Sequence, residues 1–140
     1  MIVLDTSAII EMARNTEVGV ALRELMCPKE RAVSCDLARA EIASVCRKLT
    51  RTEGITPEHA QRLFAECLEL VDEFYPIADL QAEALGESIR LNHSTYDMFY
   101  FVLARRTGGT LFTADRKLME LSLSHGVNCI YQITDLLVAN

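Results

Sequence analysis

Apolar positions along the chain fall alternately into short runs and helical stripes. Met1-Ile2-Val3-Leu4 is short and apolar, which predicts a buried strand over 1–4. Thr6 or Ser7 then caps a helix running from Ser7 to about Arg14. Glu17 to Met26 reads as a second short helix closed by Pro28, and Arg31 to Ser34 as the second strand. From Asp36 to about Thr52, Ala38, Ile42, Val45 and Leu49 recur at helical spacing, and Gly54 ends the pattern. Thr56-Pro57-Glu58 supplies a cap, a first-turn proline and an acid, so a new helix starts there. It runs to about Asp72 with Ala60, Leu63, Phe64, Cys67 and Val71 on one face.

Glu73 to Ala78 predicts a third strand, which Pro76 shortens or confines to a sheet edge. A helix follows from Leu80 to about Leu91, and Ser94 caps another from Thr95 to about Arg106. The latter is apolar all round from Met98 to Ala104, so it belongs deep in the core. Gly108-Gly109 ends it, and Thr110 to Thr113 is the fourth strand. Ala114 to His125 is a helix stopped by Gly126, Val127 to Tyr131 the fifth strand, and Thr134 to Ala139 a last helical turn or two. Alternating strands and helices predict an α/β fold with a mainly parallel sheet between helical layers. In such sheets ligands bind beyond the carboxyl ends of the strands.

At 140 residues, half of them apolar, the chain fits one domain spanning 1–140 with a sizeable core. No apolar run approaches the roughly 18 residues needed to cross a membrane, and no secretory leader is expected. The five cysteines are odd in number, scattered, and without a CxxC pair. That pattern predicts buried free thiols and a reducing, cytoplasmic location. A net charge of −6 argues against a broad basic surface for nucleic acid. It leaves a nucleic-acid enzyme open if acids are clustered around divalent cations.

Four acids are placed where chemistry is expected. Asp5 leaves the first strand and Asp115 follows Thr113, at the end of the fourth, by two residues. Glu41 sits inside the apolar stripe of its helix, where a carboxylate requires a cation, an arginine or a proton. Asp97 heads the most apolar helix. Each has a bland reading as well. Asp5 and Asp115 suit helix starts, Glu41 an ion pair at the stripe's edge, and Asp97 a capping box with Ser94. Together they fall at one edge of the sheet, which capping alone does not explain.

Two carboxylates about 5 Å apart repel by roughly 3 kcal/mol at an effective dielectric near 20. Either some of the group are protonated or a divalent cation sits among them. All-oxygen ligands favour Mg²⁺ or Mn²⁺ over zinc. Thr6, Ser7 and Thr113 are placed to orient the carboxylates or a bound water. Such a site suits hydrolysis of a phosphodiester.

These residues carry a family resemblance. Met1-Ile2-Val3-Leu4-Asp5-Thr6-Ser7-Ala8, Ala40-Glu41-Ile42-Ala43-Ser44, the segment from Tyr96-Asp97 to Ala104, and Leu111-Phe112-Thr113-Ala114-Asp115-Arg116-Lys117-Leu118 resemble, in order and spacing, the four acidic segments of the PIN domain. Within it the chain resembles the short VapC-type toxins of toxin–antitoxin pairs. The resemblance implies a three-layer α/β/α sandwich with a five-stranded parallel sheet, Mg²⁺- or Mn²⁺-dependent RNA cleavage, often a homodimer, and a cognate antitoxin. It implies Asp5, Glu41, Asp97 and Asp115 as metal ligands, supported by Thr6, Ser7 and Thr113. Met98 departs from the small residue common after the third acid.

Among basic residues, Arg116 and Lys117 are the best placed for phosphate because they directly follow Asp115. His93 lies just before the Asp97 helix, within reach of substrate, and Tyr96 is the aromatic of that helix least bound to the core. An aspartyl phosphatase would want a second Asp where Ser7 stands. A phosphate-receiving domain would want paired acids after the first strand and a lysine after the last, and both are missing. The rival from another class is a PIN-like protein-binding module without catalysis.

Overall fold

The computed structural model describes residues 1–131, so the turn expected at 134–139 lies outside the described residues. Strands β1 (Ile2–Leu4), β2 (Ala32–Cys35), β3 (Glu73–Tyr75), β4 (Thr110–Phe112) and β5 (Cys129–Ile130) form one sheet in the order β3-β2-β1-β4-β5. Every pairing is parallel, with Val3 opposite Val33 and Leu4 opposite Phe112. The helices are α1 (Thr6–Ala13), α2 (Glu17–Leu25), α3 (Leu37–Thr52), α4 (Pro57–Glu69), α5 (Ile77–Leu91), α6 (Thr95–Thr107) and α7 (Arg116–Ser124). The fold is the expected α/β/α sandwich. Right-handed crossovers place α1 to α4 on one face and α5 to α7 on the other. Accordingly α1 packs on α2, α3 and α4, and α5 on α6.

The strand order explains where a site forms. From β1 the chain steps outward to β2 and β3, then returns to lay β4 on the other side of β1. The gap between the ends of β1 and β4 is therefore the topological switch point, where a crevice opens between diverging helices. Helix α6, which runs into β4, packs against β1, β2 and β4. Its segment Met98–Ala104 is buried throughout, as its all-round apolar pattern predicts. Met98 is fully buried, so its departure from a small residue is absorbed by packing.

Several boundaries differ from the sequence reading for local reasons. Strand β3 is an edge strand but ends at Tyr75. Pro76, with φ −64°, stands at the cap of α5, which starts three residues earlier than Leu80. Strand β2 is shifted by one residue, because Arg31 joins the ladder only through its carbonyl, accepting from Ile2 N at 2.9 Å. Helix α4 ends at Glu69, its last turn tightened by bonds from Leu70 N and Val71 N. Gly19 has a role that periodicity does not reveal. A Cβ there would stand 1.9 Å from the Glu11 carbonyl oxygen, so α2 crosses α1 at contact distance. Cys35, Cys46 and Cys67 are buried free thiols, whereas Cys27, in the loop after α2, is exposed. Among the described residues no helix is long and apolar enough to cross a membrane.

Candidate active site

Asp5 is the fixed point of the crevice. It follows β1 directly, caps α1, and is only 4% exposed. Its Oδ1 accepts from Ala8 N at 2.8 Å and Ser7 Oγ at 2.7 Å, and its Oδ2 accepts from the Thr113 hydroxyl. Both oxygens are held, so the carboxylate cannot turn away. Asp5 rather than Thr6 or Ser7 caps α1, which releases both hydroxyls for other work. Ser7 Oγ also accepts from Ala114 N at 2.9 Å, and Thr113 Oγ1 from Asp115 N at 3.0 Å. These two small side chains lock the loop after β4 onto the loop after β1.

Asp115 caps α7, its Oδ1 accepting from Lys117 N at 2.9 Å and Leu118 N at 3.2 Å. Asp97, in the first turn of α6, is not in a capping box: Ser94 makes no side-chain cap bond. Instead Asp97 Oδ2 pairs with His93 Nε2 at 2.8 Å. An ionised carboxylate only accepts, so Nε2 carries the proton. Among the described residues Glu41, one turn into α3, meets neither an arginine nor a lysine. Its Oε1 accepts from Thr6 Oγ1 at 3.1 Å and from the Tyr100 hydroxyl at 2.5 Å.

Asp5, Thr6, Ser7, Glu41, Asp97 and Asp115 all line one cavity of about 270 Å³, together with Ile10, Glu11, Val45 and Tyr100. Thr113 lies beneath it, bound to Asp5. Arg116 and Lys117 are exposed at the start of α7 and do not line the cavity. Arg116 Nε stands 4.0 Å from Glu120 Oε1. His93 acts on Asp97 rather than reaching the cavity itself. Sequence reasoning missed Tyr100, which reads as core in an all-apolar helix, and Glu11, whose carboxylate takes the Thr16 hydroxyl at the cavity's rim.

The electrostatics match the crowding. Burial pushes the Asp5 carboxyl up to about 6, against the pull of three hydrogen bonds, and the charge of Asp97 adds to the rise. Burial also raises Asp97, opposed by His93 and reinforced by the charge of Asp115. Asp5 and Asp115 cap α1 and α7 and Asp97 lies in the first turn of α6, so these helix dipoles offset part of the repulsion.

The donor set fits a hard dication. Among the described residues, hydrogen bonds occupy Oε1 of Glu41, Oδ2 of Asp97 and Oδ1 of Asp115, and leave the second oxygen of each uncommitted. All are carboxylate oxygens, the ligand type of Mg²⁺ and Mn²⁺. Also among the described residues, no three His, Cys, Asp or Glu side chains are already gathered as a finished metal site, so ligation requires these side chains to draw inward.

Comparison with known proteins gives the same picture. Residues 2–122 match the PIN domain family. The chain is 26% identical over 121 residues to Ribonuclease VapC3 of Pyrobaculum aerophilum, covering 85% of this chain and 92% of that protein. Its fold is similar to that of Mycobacterium tuberculosis VapC20, a sarcin-ricin loop cleaving toxin, with a TM-score of 0.65 at 20% identity over 86% of this chain and 95% of that one. It is also similar to VapBC-5 of M. tuberculosis, a member of the VapBC family of toxin–antitoxin systems, with a TM-score of 0.59 at 18% identity over 92% and 96%. With that match spanning most of its length, this chain belongs to the PIN domain family.

Proposed function

We propose that this protein is a divalent-cation-dependent endoribonuclease, the toxin of a toxin–antitoxin pair. The observation that carries the reading is the convergence of Asp5, Glu41, Asp97 and Asp115 on one cavity at the switch point of the sheet. Four carboxylates in a crevice lower stability unless a cation compensates them. The ribonuclease name of the VapC3 relative supports RNA as substrate, and the likeness to VapBC-5 supports an antitoxin partner.

Bound Mg²⁺ or Mn²⁺ supplies a Lewis acid for the phosphate and lowers the pKa of a water. The chain's own residues supply the geometry. Asp5, held on both oxygens, is the rigid reference ligand. Glu41, Asp97 and Asp115 each present, from a separate helix, an oxygen uncommitted among the described residues. Ser7 and Thr113 fix the two loops, while Thr6 and Tyr100 orient Glu41. Lys117, exposed beside Asp115, is placed to meet the strand's phosphates outside the cavity. The protein acts as a homodimer in the cytoplasm on this reading.

The test is cleavage of a broad RNA panel by wild type and Asp97→Asn, with Mg²⁺ or Mn²⁺ and with chelator. Cleavage by wild type that needs metal and is lost in the variant is the expected result. Intact RNA throughout makes the protein a binding module instead.

A further inference from the structure

Beside the acidic cavity lies a second, larger and more apolar groove of about 520 Å³. It is lined by Leu37, Ala40, Ser44 and Tyr96 and shares Thr6, Glu41 and Val45 with its neighbour. The two hollows therefore have a common wall. Tyr96 is 62% exposed, although the four residues after Asp97 in the same helix are buried. It is rooted one residue from Asp97, about 3.8 Å along the backbone. A large aromatic ring that stands in solvent on the wall of the groove beside the acidic cavity has no role in the core.

Building on the nuclease reading, we propose that Tyr96 and this groove hold an unpaired RNA base next to the phosphate over the acids. The chain carries a net charge of −6 and concentrates acids at its cavity, so phosphate contacts alone do not retain the strand. Stacking on an aromatic ring is independent of that charge, since every base has a π-face. Leu37, Ala40 and Val45 supply an apolar wall for the base, and Ser44 a hydroxyl at its edge. The shared wall sets the geometry: a base in the groove leaves its own backbone over Glu41 and Thr6. Duplex RNA, whose bases are already stacked, is excluded from the slot.

The test is binding of a short single-stranded RNA in chelator, where no cutting occurs, followed by cleavage with Mg²⁺. The protein has four tyrosines and no tryptophan, so tyrosine emission reports stacking directly. Tyr96→Ala should weaken binding roughly five- to a hundredfold, and Tyr96→Phe should bind nearly as wild type but lose the quenching. An abasic site walked along the RNA should, at one position, weaken wild-type binding and leave Tyr96→Ala unaffected. RNA binding and cleavage unchanged in Tyr96→Ala overturn the proposal while leaving the nuclease intact. A fall in sedimentation of Tyr96→Ala overturns it too, by assigning the groove to a second copy of the chain. Tyr96-dependent binding without cleavage supports the slot and removes the nuclease reading alone.

Discussion

Tyr100 and Glu41, 59 residues apart in the chain, meet through a hydroxyl–carboxylate hydrogen bond at the wall of the acidic cavity. The tyrosine is buried, and burial together with the neighbouring Cys35 and Glu41 keeps its hydroxyl protonated. It is thus a permanent donor that fixes which oxygen of Glu41 is occupied. Tyr100→Phe keeps the ring and removes only that donor, while Thr6 still bonds the same oxygen. The expected outcome is a loss of about 1–2 kcal/mol of stability in chemical denaturation. Cleavage should fall about 10- to 100-fold, as when a ligand loses its orienting partner. Unchanged cleavage would mean that Glu41 needs no orientation.

Asp5 makes stability depend on pH in an unusual direction for a carboxylate. Its folded pKa is about 6 against an ordinary 3.8, so the fold prefers the protonated form. The stabilisation is complete below 3.8 and is lost as pH rises through 6. Without divalent ions the penalty at neutral pH is about 3 kcal/mol. Asp5→Asn should therefore raise the melting temperature near neutral pH in chelator and change little in mild acid. Mg²⁺ should stabilise the wild type by about 2.7 kcal/mol at a hundredfold excess over its dissociation constant, read as a rise in melting temperature that the variant does not show. A variant that responds to Mg²⁺ as wild type does would remove Asp5 from the ligand set.

Much of this arrangement is legible in the chain because strands and acids are adjacent in sequence. Asp5 and Asp115 follow buried runs, so their common edge follows from parallel topology alone. Glu41 is betrayed by its position in an apolar stripe. Its partner is not: one hydroxyl in a helix apolar on every side looks like core, and only packing shows that it faces an acid. Asp97 resembles the acid of a capping box because it falls three residues after Ser94, whereas the competing partner, His93, lies before the helix. Pro76 signals a short strand, but that it also starts α5 depends on the backbone turning at once.

Gly19 tests the packing that supports the rim. Its place at the α1–α2 crossing means that Gly19→Ala forces the new methyl against the Glu11 backbone. Neither helix can yield without moving Glu11, which lines the cavity, or Met12, which is fully buried. The intrinsic helix preference of alanine would favour the change by about 1 kcal/mol. Overpacking outweighs it, with a net loss of about 1–3 kcal/mol expected in denaturant titrations. A stabilised variant would show that the two helices part freely.

His93 is held from both sides, which makes it a support rather than a passing contact. Its carbonyl accepts from Ser88 Oγ at 2.6 Å, and that oxygen in turn accepts from Thr95 Oγ1 at 2.9 Å. The turn between α5 and α6, with Asn92 in the left-handed region at φ 50°, is thereby fixed, and the imidazole is aimed at Asp97. Its bond to Oδ2 leaves Oδ1 for the cavity, so losing it frees the carboxylate to rotate. His93→Ala should lower kcat about 10- to 100-fold with a weaker apparent affinity for Mg²⁺. His93→Gln, which keeps a donor near the same place, should recover part of both. RNA affinity in chelator should be unchanged in either variant, because His93 does not line the cavity. Loss of RNA binding in His93→Ala would place the imidazole on the substrate instead.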